Sequence, residues 1–144
     1  MLAAGLVAAA AAPFARRALL SRSAMSRRRS SYDVACSELD ALLYGPRPSG
    51  DAVDAFYVAL SGIVRRYLEV RFGLRSPEQT TDEFLEDLAR SPDLSRPHQE
   101  LLGDFLRGAD LVKFAHHMPD ASGVETSIQL AQRFLEETRE LAHA

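Results

Sequence analysis

Residues 108–117 read GADLVKFAHH, which places an aspartate, a lysine and two histidines in one otherwise apolar run. Such groups could ligate a metal, relay protons or, through the lysine, attack an electrophile. Attack needs a lysine desolvated inside a cleft with an electrophile in reach. Metal ligation from one helix uses positions i and i+4, because adjacent residues diverge by about 100° around the axis. His116 and His117 are adjacent and make a poor pair, and Asp120 joins them only if the chain turns sharply. The plainer reading of Lys113 is structural: its stem covers apolar surface while its ammonium reaches Asp110, or an acid of TTDEFLEDL (80–88). The histidines then read as core or last-turn residues, whose cationic form a helix C-terminus favours. A Lys113/His116/Asp110 enzyme site on this helix, in a soluble or organelle-imported protein, is the alternative.

Other catalytic templates are weaker. Cys36 is the one cysteine, so neither an intramolecular disulfide nor a multi-cysteine zinc site can form. GDFLRG (103–108) lacks the lysine of a phosphate-binding loop and falls inside a helical period, and there is no GxSxG elbow. Nothing points to a cofactor or a small-molecule substrate. Arg65 and Arg66 read as a solvated pair or as a recognition surface for an acidic partner.

The elements that would position these groups are helices divided by proline and glycine. No bounded run of alternating β-branched residues suggests a strand. A first helix is expected at about 32–44, with Val34, Leu39, Leu42 and Leu43 inward, ended by GPRPSG (45–50). A second runs from about Asp51 to Phe72, with Phe56, Leu60, Ile63, Val64, Tyr67 and Val70 on one stripe, Arg65, Arg66 and Glu69 opposite, and Gly73 as its cap. The third covers about 80–91, with a Thr80/Glu83 capping box and Phe84, Leu85 and Leu88 buried. Ser95 caps a fourth that reaches about His117, with Pro97 in its first turn. Its arc is Leu101, Leu102, Phe105, Leu106, Ala109, Val112 and Ala115, with His116 near the middle. Leu111 and Phe114 make its last turns apolar almost all round, as in a central helix. A Ser122/Glu125 capping box opens a fifth, to about Leu141, burying Val124, Ile128, Ala131, Phe134 and Leu135. The fold class is therefore all-α, a compact bundle of about five helices behind an N-terminal leader.

The leader has its own logic. Residues 2–15 are uncharged and alanine-rich, and Arg16, Arg17, Arg22, Arg27, Arg28 and Arg29 follow with no acid before Asp33. Fourteen residues of helix span roughly 22 Å, short of the ~30 Å hydrocarbon core, so residues 1–20 read as a membrane anchor or the remnant of one. Arginines directly after an apolar run hold that side in the cytoplasm, whereas a secretory signal places them before it. Residues 21–31 then form a basic juxtamembrane linker, and 32–142 a cytoplasmic helical domain. An acid-free, Arg- and Ser-rich leader also fits mitochondrial import. Removing the six leader arginines from the 17 basic residues leaves 11 against 20 acids, so the body carries about −9. That balance argues against nucleic acid as a partner.

The runs FYVALSGIVRRYLEVRFGLRSPEQTTDEFLEDL (56–88) and LLGDFLRGADLVKFA (101–115) together resemble the C-terminal cytoplasmic domain of BatD-like proteins and related domains of unknown function. The RRYLE..FG, TT.EFL and DLVKFA segments carry the likeness in that order, over roughly residues 52–140. The resemblance implies a bacterial inner-membrane protein whose helical module assists a MoxR-type AAA+ ATPase and von Willebrand factor A proteins, as in aerotolerance systems, without catalysis of its own. BatD-like proteins also carry a long extracytoplasmic β-rich part ahead of the membrane segment, so the resemblance implies either a short variant or an internal start at Met1. The family offers no catalytic residues to carry over. Arg66, Tyr67, Thr81, Glu83, Asp110 and Lys113, with Arg65, are candidates for a polar network or partner surface.

Overall fold

Proline and glycine cut the chain where the periodicity breaks, and the pieces between them are helical. The computed structural model describes residues 31–74 and 79–139. Its elements are α1 (31–43), α2 (Ala52–Phe72), α3 (Thr81–Ala89), α4 (Arg96–Phe114) and α5 (Ala121–Arg139), with no strand among the described residues. The expected anchor at 1–20, the rest of the expected linker before Ser31 and the last residues of the expected domain fall outside the described residues, while Ser31 itself is already helical. Among the described residues, no helix is long and apolar enough to cross a membrane.

Helix termini follow local chemistry. Gly73 ends α2 at φ 65°, its N–H on the carbonyl of Glu69, and the Leu74 N–H reaches the same oxygen at 3.0 Å. A left-handed residue with a side chain would cost about 1–2 kcal/mol there. Thr80 and Glu83 make both bonds of the capping box: Glu83 N–H donates to Thr80 Oγ1 (3.3 Å) and Thr80 N–H to Glu83 Oε2 (2.9 Å). Ser95 accepts from the His98 N–H at 3.4 Å, and Pro97 sits in the first turn of α4.

The start of α5 differs from the expected Ser122/Glu125 box. Asp120 is the cap: its Oδ1 accepts the Gly123 N–H and the Ser122 hydroxyl, each at 2.8 Å. A carboxylate reaches the third N–H of the helix while complementing its dipole, and the helix opens earlier. The Gly123 N–H first, and the Ser122 hydroxyl second, hold the Asp120 carboxyl below the usual aspartate range.

Contacts between helices fix their directions. Tyr57 hydrogen-bonds Ser127 and Tyr67 hydrogen-bonds Thr138, both at 2.8 Å, so early meets early and late meets late: α2 and α5 run parallel. His98 of α4 and Tyr32 of α1 each meet the last turns of α5, at Glu137 (3.2 Å) and Glu136 (2.6 Å), so α1 and α4 run the other way. The long helices thus alternate in direction, with α3 short between α2 and α4. The chain enters the bundle at Tyr32 beside the end of α5, and α2 begins at the opposite end.

The core is Ala35 and Leu39 of α1, the broad face of α2, Phe84 and Leu88 of α3, and the inner faces of α4 and α5. Each fully buried leucine, such as Leu60, Leu68 or Leu102, contributes roughly 1.5–3 kcal/mol by leaving water. The buried face of α2 is rotated from the expected stripe: Val53, Tyr57, Ser61 and Leu68 are inside, and Val70 is exposed. With α4 and α5 both packed on α2, its covered arc widens on that side and leaves Val70 out. Val34 is likewise exposed, because the inner line of α1 runs through Ala35 and Leu39.

Candidate functional site

The seven residues singled out from sequence divide among separate contacts. Arg65 Nη2 donates to the Gln79 carbonyl (2.9 Å), and its guanidinium lies 4.9 Å from the Phe84 ring centre, which ties α2 to the start of α3. Arg66 pairs with Glu38 of α1 at 2.8 Å, exposed on both sides. Tyr67 is buried against Thr138; burial pushes its phenol up, and the Thr138 contact offsets part of that. Thr81 is buried in the first turn of α3, and Glu83 serves its cap. Arg65, Thr81 and Glu83 lie around the start of α3, whereas Arg66 and Tyr67 make their contacts with α1 and α5.

Asp110 and Lys113 belong elsewhere, where α4 ends beside the start of α2. Lys113 Nζ lies 3.7 Å from Asp110 Oδ1, donates to Ser61 Oγ at 3.2 Å, and sits 5.3 Å from the Phe114 ring centre. Its side chain is only 15% exposed. Ser61 in turn donates to the Tyr57 carbonyl at 2.8 Å, which anchors the lysine to the buried side of α2. The partner is therefore Asp110 on the same helix, together with a hydroxyl across the interface, and no acid of the 80–88 segment pairs with Lys113 among the described residues.

Beyond Lys113 the end of α4 departs from the sequence reading. The helix stops at Phe114, and Ala115 and His116 are exposed rather than on a buried arc. His116 adopts φ 52°, and the Leu111 carbonyl accepts both the Ala115 and His117 N–H groups. The cause lies downstream: Pro119 disfavours helical geometry at Met118, and Asp120 must already be in place to cap α5. The turn therefore has to begin before the histidines. Leu111 (54% exposed) and Phe114 (75%) face outward, so this end of α4 is not enclosed as a central helix would be.

The result is a cleft of about 310 Å³ lined by Gly50, Asp51, Asp54, Val112, Lys113, His116 and Met118. Two of the three residues of the enzyme alternative, Lys113 and His116, meet here. Lys113 is engaged by Asp110 and Ser61. No set of three or more His, Cys, Asp or Glu side chains converges as a metal site among the described residues. Asp51, Asp54, Ser61 and Met118 were not picked out by motif. Ser61 could have been flagged as a polar residue next to the apolar stripe of α2, whereas its meeting with Lys113 depends on how α2 and α4 pack. A comparison with protein-family models, curated proteins and solved structures found no match to this chain.

Proposed function

We propose that the chain is a membrane-tethered helical protein-interaction module of the bacterial inner membrane, with its helical domain in the cytoplasm. It acts as an accessory to a MoxR-type AAA+ ATPase and von Willebrand factor A system and performs no catalysis itself. The observation that carries this reading is the exposure of Leu111, Phe114 and Met118 (61% exposed) in the last turn of α4 and just beyond it, on a body whose other large apolar side chains are mostly packed. Large apolar side chains left exposed among polar ones mark surfaces that meet a partner. The order of the RRYLE..FG, TT.EFL and DLVKFA segments, and the arginines that follow the apolar leader, support the choice of partner and membrane.

Co-purification from native membranes, with and without nucleotide, tests the reading. Recovery of a MoxR-type ATPase or a von Willebrand factor A protein is expected. Recovery of neither under both conditions overturns it.

A further inference from the structure

Helix α1 is held differently from the other long helices. Its inner line is narrow: among the described residues Ala35 and Leu39 are its buried apolar side chains, with Tyr32, Leu42 and Leu43 packed partly beside them. By contrast α2, α4 and α5 each bury five or more. Val34 and, just past the helix, Tyr44 face solvent. The polar ties of α1 run to α2 and α5. Glu38 meets Arg66 of α2 at 2.8 Å, Tyr32 donates to Glu136 of α5 at 2.6 Å, and the Arg139 guanidinium lies 4.7 Å from the Tyr32 ring centre. Beyond the helix Arg47 adds a fourth tie, its Nε on Glu125 of α5 at 3.1 Å. These bonds are exposed, and no side-chain hydrogen bond or ion pair joins α1 to α3 or α4 among the described residues. The α2–α5 joint itself is made without α1, by Tyr57 with Ser127 and Tyr67 with Thr138. The connector to α2, GPRPSG (45–50), contains two prolines that offer no N–H to hold it, and open space surrounds Gly45 and Gly50.

We propose that α1 is a releasable strap, which leaves the α2–α5 pair as one unit by turning at residues 45–50 while α2 to α5 stay folded. An element that buries little apolar surface, and is otherwise tied by solvent-exposed bonds, opens at a lower free energy than the core. Exposed ion pairs such as Glu38–Arg66 and Arg47–Glu125 hold weakly, and salt screens them. The remaining helices keep their own packing, α4 against α2, α3 and α5. The domain therefore has two folded states, strapped and open, and ionic strength shifts the balance between them. The open state uncovers the α2–α5 seam and frees the helix that follows the leader. This device does not depend on the partner assigned above.

Hydrogen exchange of the full chain, read by mass spectrometry with fragment-level resolution across a urea series, tests the strap. Amides from about 35 to 43 should share one opening, exchange about tenfold or more faster than the slowest amides of α4 and α5, and respond less steeply to urea. Glu38→Gln should speed that exchange about two- to fivefold. Thr80→Ala, at the cap of α3, weakens the folded body without touching α1, so it should speed the slowest core amides and leave α1 unchanged. Cys36, the single cysteine, is partly buried on α1 and gives a second readout. Its alkylation by N-ethylmaleimide should rise with Glu38→Gln and with salt, and not with Thr80→Ala. Exchange of α1 at the rate and urea dependence of the core, or an equal response of both to Thr80→Ala, overturns the proposal, because α1 then opens only when everything does. Protection that falls steadily from one end of α1 also overturns it, as fraying only. So does Glu38→Gln without effect on either readout.

Discussion

Replacing Thr138 by valine keeps the shape of a fully buried side chain and removes one oxygen. That oxygen has a crowded role. Its single proton goes to the Phe134 carbonyl at 2.8 Å, so the Tyr67 hydroxyl, also at 2.8 Å, must donate to it. Tyr67→Phe removes the donor and leaves Thr138 bonded to its own helix, a loss of about 1 kcal/mol. Thr138→Val leaves the Tyr67 hydroxyl buried with no other acceptor among the described residues, at a cost of about 1–3 kcal/mol. With both partners apolar, the penalty for an unmet donor disappears. The double variant should therefore be about as stable as Thr138→Val alone, or more stable, and not as weak as the two losses combined. Equilibrium urea unfolding of the four proteins, followed by far-ultraviolet circular dichroism, gives the cycle directly. Thermal midpoints should move in the same order, by roughly 3–5 °C per kcal/mol for a chain of this size. Losses that add to within about 0.3 kcal/mol, or a Thr138→Val protein as stable as the parent, would refute the reasoning.

Other substitutions probe separate contacts. Lys113→Met keeps the apolar stem but strands Asp110 and removes a donor from Ser61; it should lower stability by about 1 kcal/mol or less and weaken partner recovery. A variant that melts and binds as before shows that Lys113 is not the stitch described. Thr80→Ala should cost about 1 kcal/mol in urea unfolding, with Thr80→Ser restoring most of it, and no loss would mean that the capping box contributes nothing. Asp120 sets an acid dependence of defined sign. Its folded pKa lies below its unfolded value, so its contribution is present above the ordinary aspartate range and is lost as pH falls below about 4. Asp120→Asn can still accept the Gly123 N–H, so melting at pH 7 should hardly change while the acid limb becomes shallower; superimposable acid limbs would remove the charge from the account of this cap.

Much of the bundle was legible because its signals are local. Thr80 with Glu83, Ser95 ahead of Pro97, and Gly73 each close or open a helix through bonds within a few residues, and such bonds depend little on the rest of the fold. What was misread depended on neighbours. On a wheel His116 continues the arc of α4, yet Pro119 and the Asp120 cap force the turn earlier. Leu111 and Phe114 suggested an enclosed helix, because composition reports how apolar a side is and not whether another helix covers it. The candidate site was half legible. Lys113 and Asp110 are three apart and could be paired on paper, but Ser61 is 52 positions from Lys113 and Asp54 lies on another element. Only the packing of α2 against α4 brings them together.

The separation of the two ends of the bundle has a mechanical consequence. The chain enters at Tyr32, whose hydroxyl donates to Glu136 and whose ring lies under Arg139, while the cleft opens where α2 begins. Between them lies the length of α2, about 30 Å for its 21 residues. Tension applied through Tyr32 loads α1 lengthwise against its neighbours and strains the Tyr32–Glu136 and Arg66–Glu38 contacts first. The cleft residues sit off that load path. A pull strong enough to peel α1 would reach the cleft last, so a load at one end of the bundle leaves the other end undistorted.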